Sequence, residues 1–164
     1  MDRRQFFLTT LGASAGALVL SRGLGAQYGA QQALPAMTVY KSASCGCCTA
    51  WVEHVRKAGF TVKTVDTEDL AGVKAEMGIP AKLQSCHTVV VGAYVLEGHV
   101  PAADVKKLLA TKPSVRGLAV PGMPIGSPGM EQGSPANYDR YDVIAFTAAG
   151  GTSVFASHGP ARRG

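Results

Sequence analysis

Between residues 37 and 110 the hydrophobic pattern switches repeatedly between the two-residue period of a strand and the wider spacing of a helix. Only a layered mixture of both elements can bury such a pattern. Residues 37–41 form a short β-rich run that ends in Ser42-Ala43-Ser44. Across residues 47–57, Trp51, Val52 and Val55 are apolar while Glu53, Arg56 and Lys57 are polar, which predicts a helix stopped by Gly59. Residues 61–66 read as a second strand. Residues 69–77 read as a short helix resting on Leu70, Val73 and Met77 and closed by Gly78. Residues 88–91 and 94–97 flank Gly92-Ala93 as a hairpin, and residues 101–110 follow as an amphipathic helix with Pro101 near its first turn and Asp104 in it. The expected order is β-α-β-α-β-β-α.

That order, with a cysteine-bearing turn between the first strand and the first helix, resembles the thioredoxin-like fold, and the expected fold class is α/β. Beyond it, residues 112–135 are rich in Pro and Gly, and residues 141–146 and 152–156 have the composition of two further strands joined by Gly150-Gly151. We read residues 112–158 as a flap, a Gly/Pro/Met loop with a C-terminal β-hairpin, appended to one domain over residues 37–158. A chain of 164 residues with 46% hydrophobic content suits a single core. Residues 161–164 read as a frayed tail.

The N-terminus carries a different message. Asp2-Arg3-Arg4-Gln5-Phe6-Phe7-Leu8 is a twin-arginine pair followed by an apolar, Gly- and Ala-rich run to Leu20, the pattern of an export signal. The run is short of the roughly 20 apolar residues that span a bilayer, and Gly12 and Gly16 weaken it further. Residues 1–26 are therefore expected to be a removable twin-arginine signal cut after Leu24-Gly25-Ala26, leaving a periplasmic protein with no stable membrane anchor. Arg3, Arg4 and Arg22 against Asp2 account for two of the five net positive charges, so the basic balance argues for no nucleic-acid partner.

All four cysteines fall in two places, Cys45-Gly46-Cys47-Cys48 and Cys86. An exported protein with an even number of cysteines admits a disulfide reading. Two bridges would need one inside the cluster, however, and a Cys45–Cys48 bond would have Cys47 beside it as a thiol able to attack it. Metal binding makes fuller use of the same residues, because thiolates are soft ligands and a helix N-terminus stabilises an anion. In a thioredoxin-like chain the loop before the third strand lies against the cysteine turn. Here that loop is Ser85-Cys86-His87, so Cys86 completes a four-sulfur set. One Zn²⁺ on four thiolates leaves a net charge of −2, whereas four Cu⁺ bridged by four thiolates sum to zero and tolerate burial. We expect copper(I), several ions per chain, with a single Cu(I) or zinc as less favoured alternatives.

Further candidates surround these four. His87 adjoins Cys86 and is expected to ligate metal or to hydrogen-bond a ligand. Met123 and Met130, in Val120-Pro121-Gly122-Met123-Pro124 and Gly126-Ser127-Pro128-Gly129-Met130-Glu131, offer thioethers suited to Cu(I); the competing reading packs them on the core. His99 reads as an inner-loop hydrogen-bonding residue, His54 as part of a solvated helix face and His158 as a tail residue.

The motifs Lys41-Ser42-Ala43-Ser44-Cys45-Gly46-Cys47-Cys48, Ser85-Cys86-His87-Thr88, Glu97-Gly98-His99-Val100-Pro101 and the methionine loop, in this order, resemble the CopG-like family of small periplasmic proteins. The resemblance implies a thioredoxin-like fold, a role in bacterial copper resistance and copper bound through Cys45, Cys47, Cys48 and Cys86. It implies that the methionine loop belongs to the surroundings of the site. A copper-binding protein is preferred over an enzyme. The alternatives are a thiol-disulfide oxidoreductase using Cys45 and Cys48, or a copper-dependent electron-transfer protein. Expected partners are copper ions and another periplasmic copper carrier or efflux component.

Overall fold

A computed structural model describes residues 33–160; the expected export signal over residues 1–26 and the expected tail over residues 161–164 lie outside the described residues. The elements run β1 (Met37–Lys41), α1 (Gly46–Lys57), β2 (Val62–Asp66), α2 (Leu70–Glu76), β3 (Thr88–Val91), β4 (Tyr94–Glu97), α3 (Ala102–Thr111), β5 (Gly117–Ala119), β6 (Tyr141–Phe146) and β7 (Thr152–His158), with short 3₁₀ turns at Ala81–Leu83 and Pro135–Asn137. The β-α-β-α-β-β-α order expected from the sequence is present, as is the C-terminal hairpin. The class is α/β.

The strands form one seven-stranded sheet in the order β2-β1-β3-β4-β5-β6-β7. β1 pairs parallel with β2 and antiparallel with β3, while β4 pairs antiparallel with β3 and parallel with β5. β5 is the element that the sequence did not reveal. It has three residues and opens on a glycine, a poor strand former, so it has no readable alternation. Through β5 the hairpin of β6 and β7 continues the main sheet, and Val143, Ala145 and Phe146 bury their side chains.

The helices cover the sheet as their patterns require. Trp51, Val52 and Val55 of α1 and Val105 and Leu108 of α3 join Val39, Val89, Val91, Leu96 and Leu118 in one apolar core. Trp51 is fully buried, and its indole Nε1–H donates to the Val100 carbonyl at 2.9 Å, which satisfies the polar edge of the largest core side chain. α2 departs from expectation: Leu70 and Val73 are only half-buried, and the residue it buries is Lys74.

The register brings the ends of four strands together. Tyr40 pairs with Thr88, Thr88 with Glu97, and Glu97 with Ala119. The segments that follow β1, precede β3, follow β4 and follow β5 therefore all leave the same end of the sheet, and each carries one of the sequence motifs.

Candidate metal centre

Cys45 is the N-cap residue of α1, and its sulfur accepts the Cys48 N–H at 3.4 Å. The first helical turn thus displays Cys45, Cys47 and Cys48 where unpaired backbone N–H groups favour negative charge. Cys86, on the loop before β3, faces them across the end of the sheet. The sulfurs of Cys45, Cys47, Cys48 and Cys86 all lie within 4.8 Å of one another, so the facing arrangement expected from the fold is present.

Two of these residues are covalently joined: Cys45 and Cys48 form a disulfide, while Cys47 and Cys86 are free. The sequence reading disfavours a bridge inside the cluster because of the neighbouring thiol, while keeping a Cys45–Cys48 pair as an alternative. The bridge is nevertheless formed, with the Cys47 sulfur 3.5 Å from that of Cys45. An N-cap residue and the residue three positions on lie on one side of the first turn, so the C-x-x-C pair meets without displacing the helix.

Two histidines complete the cluster. His87 and His99 are fully buried, and the Cys86 sulfur lies 3.2 Å from His87 Nδ1 and 3.0 Å from His99 Nε2. His99 Nδ1 lies 2.7 Å from the Pro128 carbonyl. A carbonyl can only accept, so Nδ1 carries the ring proton and Nε2 presents its lone pair to Cys86. His87 packs against Trp51 and His99, with ring centroids 4.7 and 5.1 Å apart, and its Nε2 has no hydrogen-bond partner among the described residues. Cys86, His87 and His99 form a second set of ligand atoms gathered within 4.8 Å. The sequence had assigned His99 only a hydrogen-bonding role. The signal was present in the hairpin: a two-residue turn that pairs Thr88 with Glu97 sets residues 86–87 beside residues 98–99.

Burial sets the protonation states of these groups. It pushes the Cys86 thiol up to about 12, with the nearby Cys47 adding to the effect. It holds the His87 imidazole well below its ordinary value, helped by His99 and Lys74, and lowers that of His99. The cluster therefore rests as a protonated Cys86 thiol between two neutral imidazoles.

Beneath the Cys86 loop lies a buried ion pair that sequence reading missed. Lys74 Nζ is 2.6 Å from Glu97 Oε1, which also accepts the Ser85 N–H at 2.6 Å, and Thr88 Oγ1 donates to Glu97 Oε2 at 2.6 Å. Burial raises the Glu97 carboxyl, and the bonds from Lys74 and Thr88 oppose that rise. Glu97 thereby ties the backbone of Ser85, immediately before Cys86, to the floor of the site.

The methionine loop closes the other side. Gly129 adopts a φ of +87°, and a Cβ there would stand 2.7 Å from Trp51 N and 2.8 Å from the Cys47 carbonyl oxygen, so the loop backbone lies directly on the first turns of α1. Pro128 holds His99, and the Gly129 N–H donates to Glu131 at 2.7 Å. Met130 is half-buried beside this contact. Met123 is 53% exposed and lines a separate surface cavity with Arg140, Tyr141 and Asp142.

The other two histidines are not solvated or frayed. His54 Nε2 accepts the Ala102 N–H at 3.1 Å at the start of α3, and His158 Nε2 lies 2.6 Å from Asp104 Oδ2. Both tie α3 to its neighbours because their elements pack against its first turn.

The fold and this cluster define an α/β protein whose thiols and imidazoles gather at one end of its sheet, around the N-terminus of the first helix. Residues 83–130 match the family model described as "Protein of unknown function, DUF411", which takes in Cys86, His87, His99 and the methionine loop. The solved structure "Copper resistance protein copG- Form 1" is 42% identical, with 77% of this chain and 99% of that chain covered and a TM-score of 0.72. The corresponding "Form 2" is 43% identical, with 76% and 98% covered and a TM-score of 0.72. No curated protein matches the chain. The chain belongs to the CopG family of copper resistance proteins.

Proposed function

We propose that the protein binds copper(I) in the periplasm through Cys45, Cys47, Cys48 and Cys86 and serves copper resistance in that way. The observation that carries this reading is the gathering of all four sulfurs within 4.8 Å at a helix N-terminus. The sulfur set is soft, partly buried and able to bridge several monovalent ions with no net charge. The copper-resistance relatives support copper as the cargo. The thioredoxin-like description is part of the same reading, supported by the β2-β1-β3-β4 order with a cysteine turn between β1 and α1.

Loading through all four thiolates requires the Cys45–Cys48 bond to open. A dithiol reductant supplies two electrons and two protons and leaves as its own disulfide, and Cu(I) then displaces the thiol protons. The experiment is anaerobic Cu(I) titration of the reduced protein against its Cys45→Ser/Cys47→Ser/Cys48→Ser variant. Several copper ions per wild-type chain, and a loss of at least tenfold in affinity in the variant, are expected. Equal affinity would sink the proposal.

The disulfide beside the free Cys47 favours one second reading, a thiol-disulfide oxidoreductase. It requires that Cys47→Ser retain turnover of a dithiol substrate and that copper not be needed. Copper binding requires instead that the same variant lose copper.

A further inference from the structure

When Cys45 and Cys48 are bonded to each other, two of the four sulfurs no longer offer a thiolate, yet the second donor set is untouched. We propose that in this oxidised form Cys86, His87 and His99 hold a single divalent ion of the zinc class, so that the disulfide decides which metal chemistry the protein offers. The inference stands on the histidines and does not require the copper reading.

The geometry supports it in three ways. In a tetrahedral site with Zn–S of about 2.3 Å and Zn–N of about 2.0–2.1 Å, sulfur and nitrogen donors stand about 3.5 Å apart. The Cys86 sulfur is already 3.0 Å from His99 Nε2 and 3.2 Å from His87 Nδ1, so shifts of a few tenths of an ångström open the space for an ion. The ring proton of His99 is parked on the Pro128 carbonyl, the outer hydrogen bond that orients a metal-binding imidazole and fixes its tautomer. His87 is wedged against Trp51 with Nδ1 toward the Cys86 sulfur and, among the described residues, no partner for Nε2, so the hydrogen bond that orients the ring runs to the atom that becomes its neighbouring ligand.

The donor chemistry then selects the ion. One thiolate and two imidazoles form a borderline set, which suits Zn²⁺ better than a cluster of Cu⁺, while the four-sulfur set is soft. On binding, the Cys86 thiol loses its proton to solvent, His99 coordinates through Nε2 in the tautomer it already holds, and His87 coordinates through Nδ1 with its ring proton on Nε2, so one proton leaves per ion bound. No electron is transferred.

The test uses the full chain with Cys45–Cys48 closed, a state verified by two titratable thiols per chain. Calorimetric titration with Zn²⁺ and absorption titration with Co²⁺ are expected to give one ion per chain, with a thiolate-to-cobalt charge-transfer band and the visible bands of a tetrahedral ion. Cys86→Ser and His99→Gln are each expected to lower the affinity at least tenfold. A readout that needs no variant is nitrogen NMR of the wild-type rings, where Zn²⁺ is expected to shift His87 Nδ1 and His99 Nε2. Absence of one-to-one binding, unchanged affinity in both variants, or unmoved ring nitrogens each overturns the inference. If Zn²⁺ fails to bind while the reduced protein still loads Cu(I), this inference alone falls; if Zn²⁺ binds and Cu(I) does not, the proposed function alone falls.

Discussion

At the scale of single residues, Cys86 is the hinge of the account. It lies in both donor sets, and it alone among the cysteines comes from outside the α1 turn. Cys86→Ser replaces the sulfur by a smaller oxygen on the same side-chain framework and is expected to reduce the copper bound per chain and to weaken what remains at least tenfold, measured by competition with a Cu(I) chelator. The buried imidazoles make a separate prediction. The folded protein holds His87 and His99 below their ordinary value near 6.5, so the unfolded chain binds more protons as pH falls. The stability they contribute is full above about pH 6.5 and is lost as pH falls through their lowered folded values. Thermal melts of the metal-free protein are expected to show a midpoint that drops between pH 7 and 5, with a smaller drop in His87→Gln. The cysteine set could be read from the sequence because three thiols in four residues leave few alternatives. The Lys74–Glu97 pair could not, since a lysine in a short amphipathic helix ordinarily points to water.

At the scale of elements, three segments converge on α1, and each can be loosened separately. Gly129 has a positive φ and lies against the α1 backbone. Gly129→Ala is therefore expected to cost about 1–3 kcal/mol in chemical denaturation and to lower copper affinity by moving the loop off Cys47. Glu97→Ala strands the Lys74 ammonium in the core and frees the Ser85 N–H, a cost of about 3–5 kcal/mol. The Lys74→Met/Glu97→Gln pair removes both charges and leaves an amide oxygen for Ser85, so it is expected to cost much less. A double variant as unstable as Glu97→Ala would show that the loop, and not the charge, dominates. β1, β3, β4 and β6 form over the residues expected from their alternation, because each has one buried and one less buried face or is bounded by a tight turn. β5 was hidden because three residues beginning with glycine have no period to read; only the sheet around them makes them a strand.

At the scale of the whole molecule, the sheet register is what assembles the site. Four strand ends align in one row, so segments spread from Ser42 to Glu131 meet without any one of them being long. The methionine loop, read from the sequence as part of an appended flap, hangs between two strands of the same sheet, β5 and β6, and this anchors Pro128 over His99. Under the proposed export route, Arg3→Lys/Arg4→Lys is expected to leave the protein in the cytoplasm of a bacterial host, as fractionation would show. The central claim is that copper(I) is held by these four sulfurs. X-ray absorption at the copper edge, on reduced protein loaded anaerobically, tests it most directly. The account predicts a Cu(I) edge, a first shell dominated by sulfur and a copper–copper distance from bridged ions. A first shell of nitrogen and oxygen, or a spectrum unchanged in the Cys45→Ser/Cys47→Ser/Cys48→Ser variant, would contradict it.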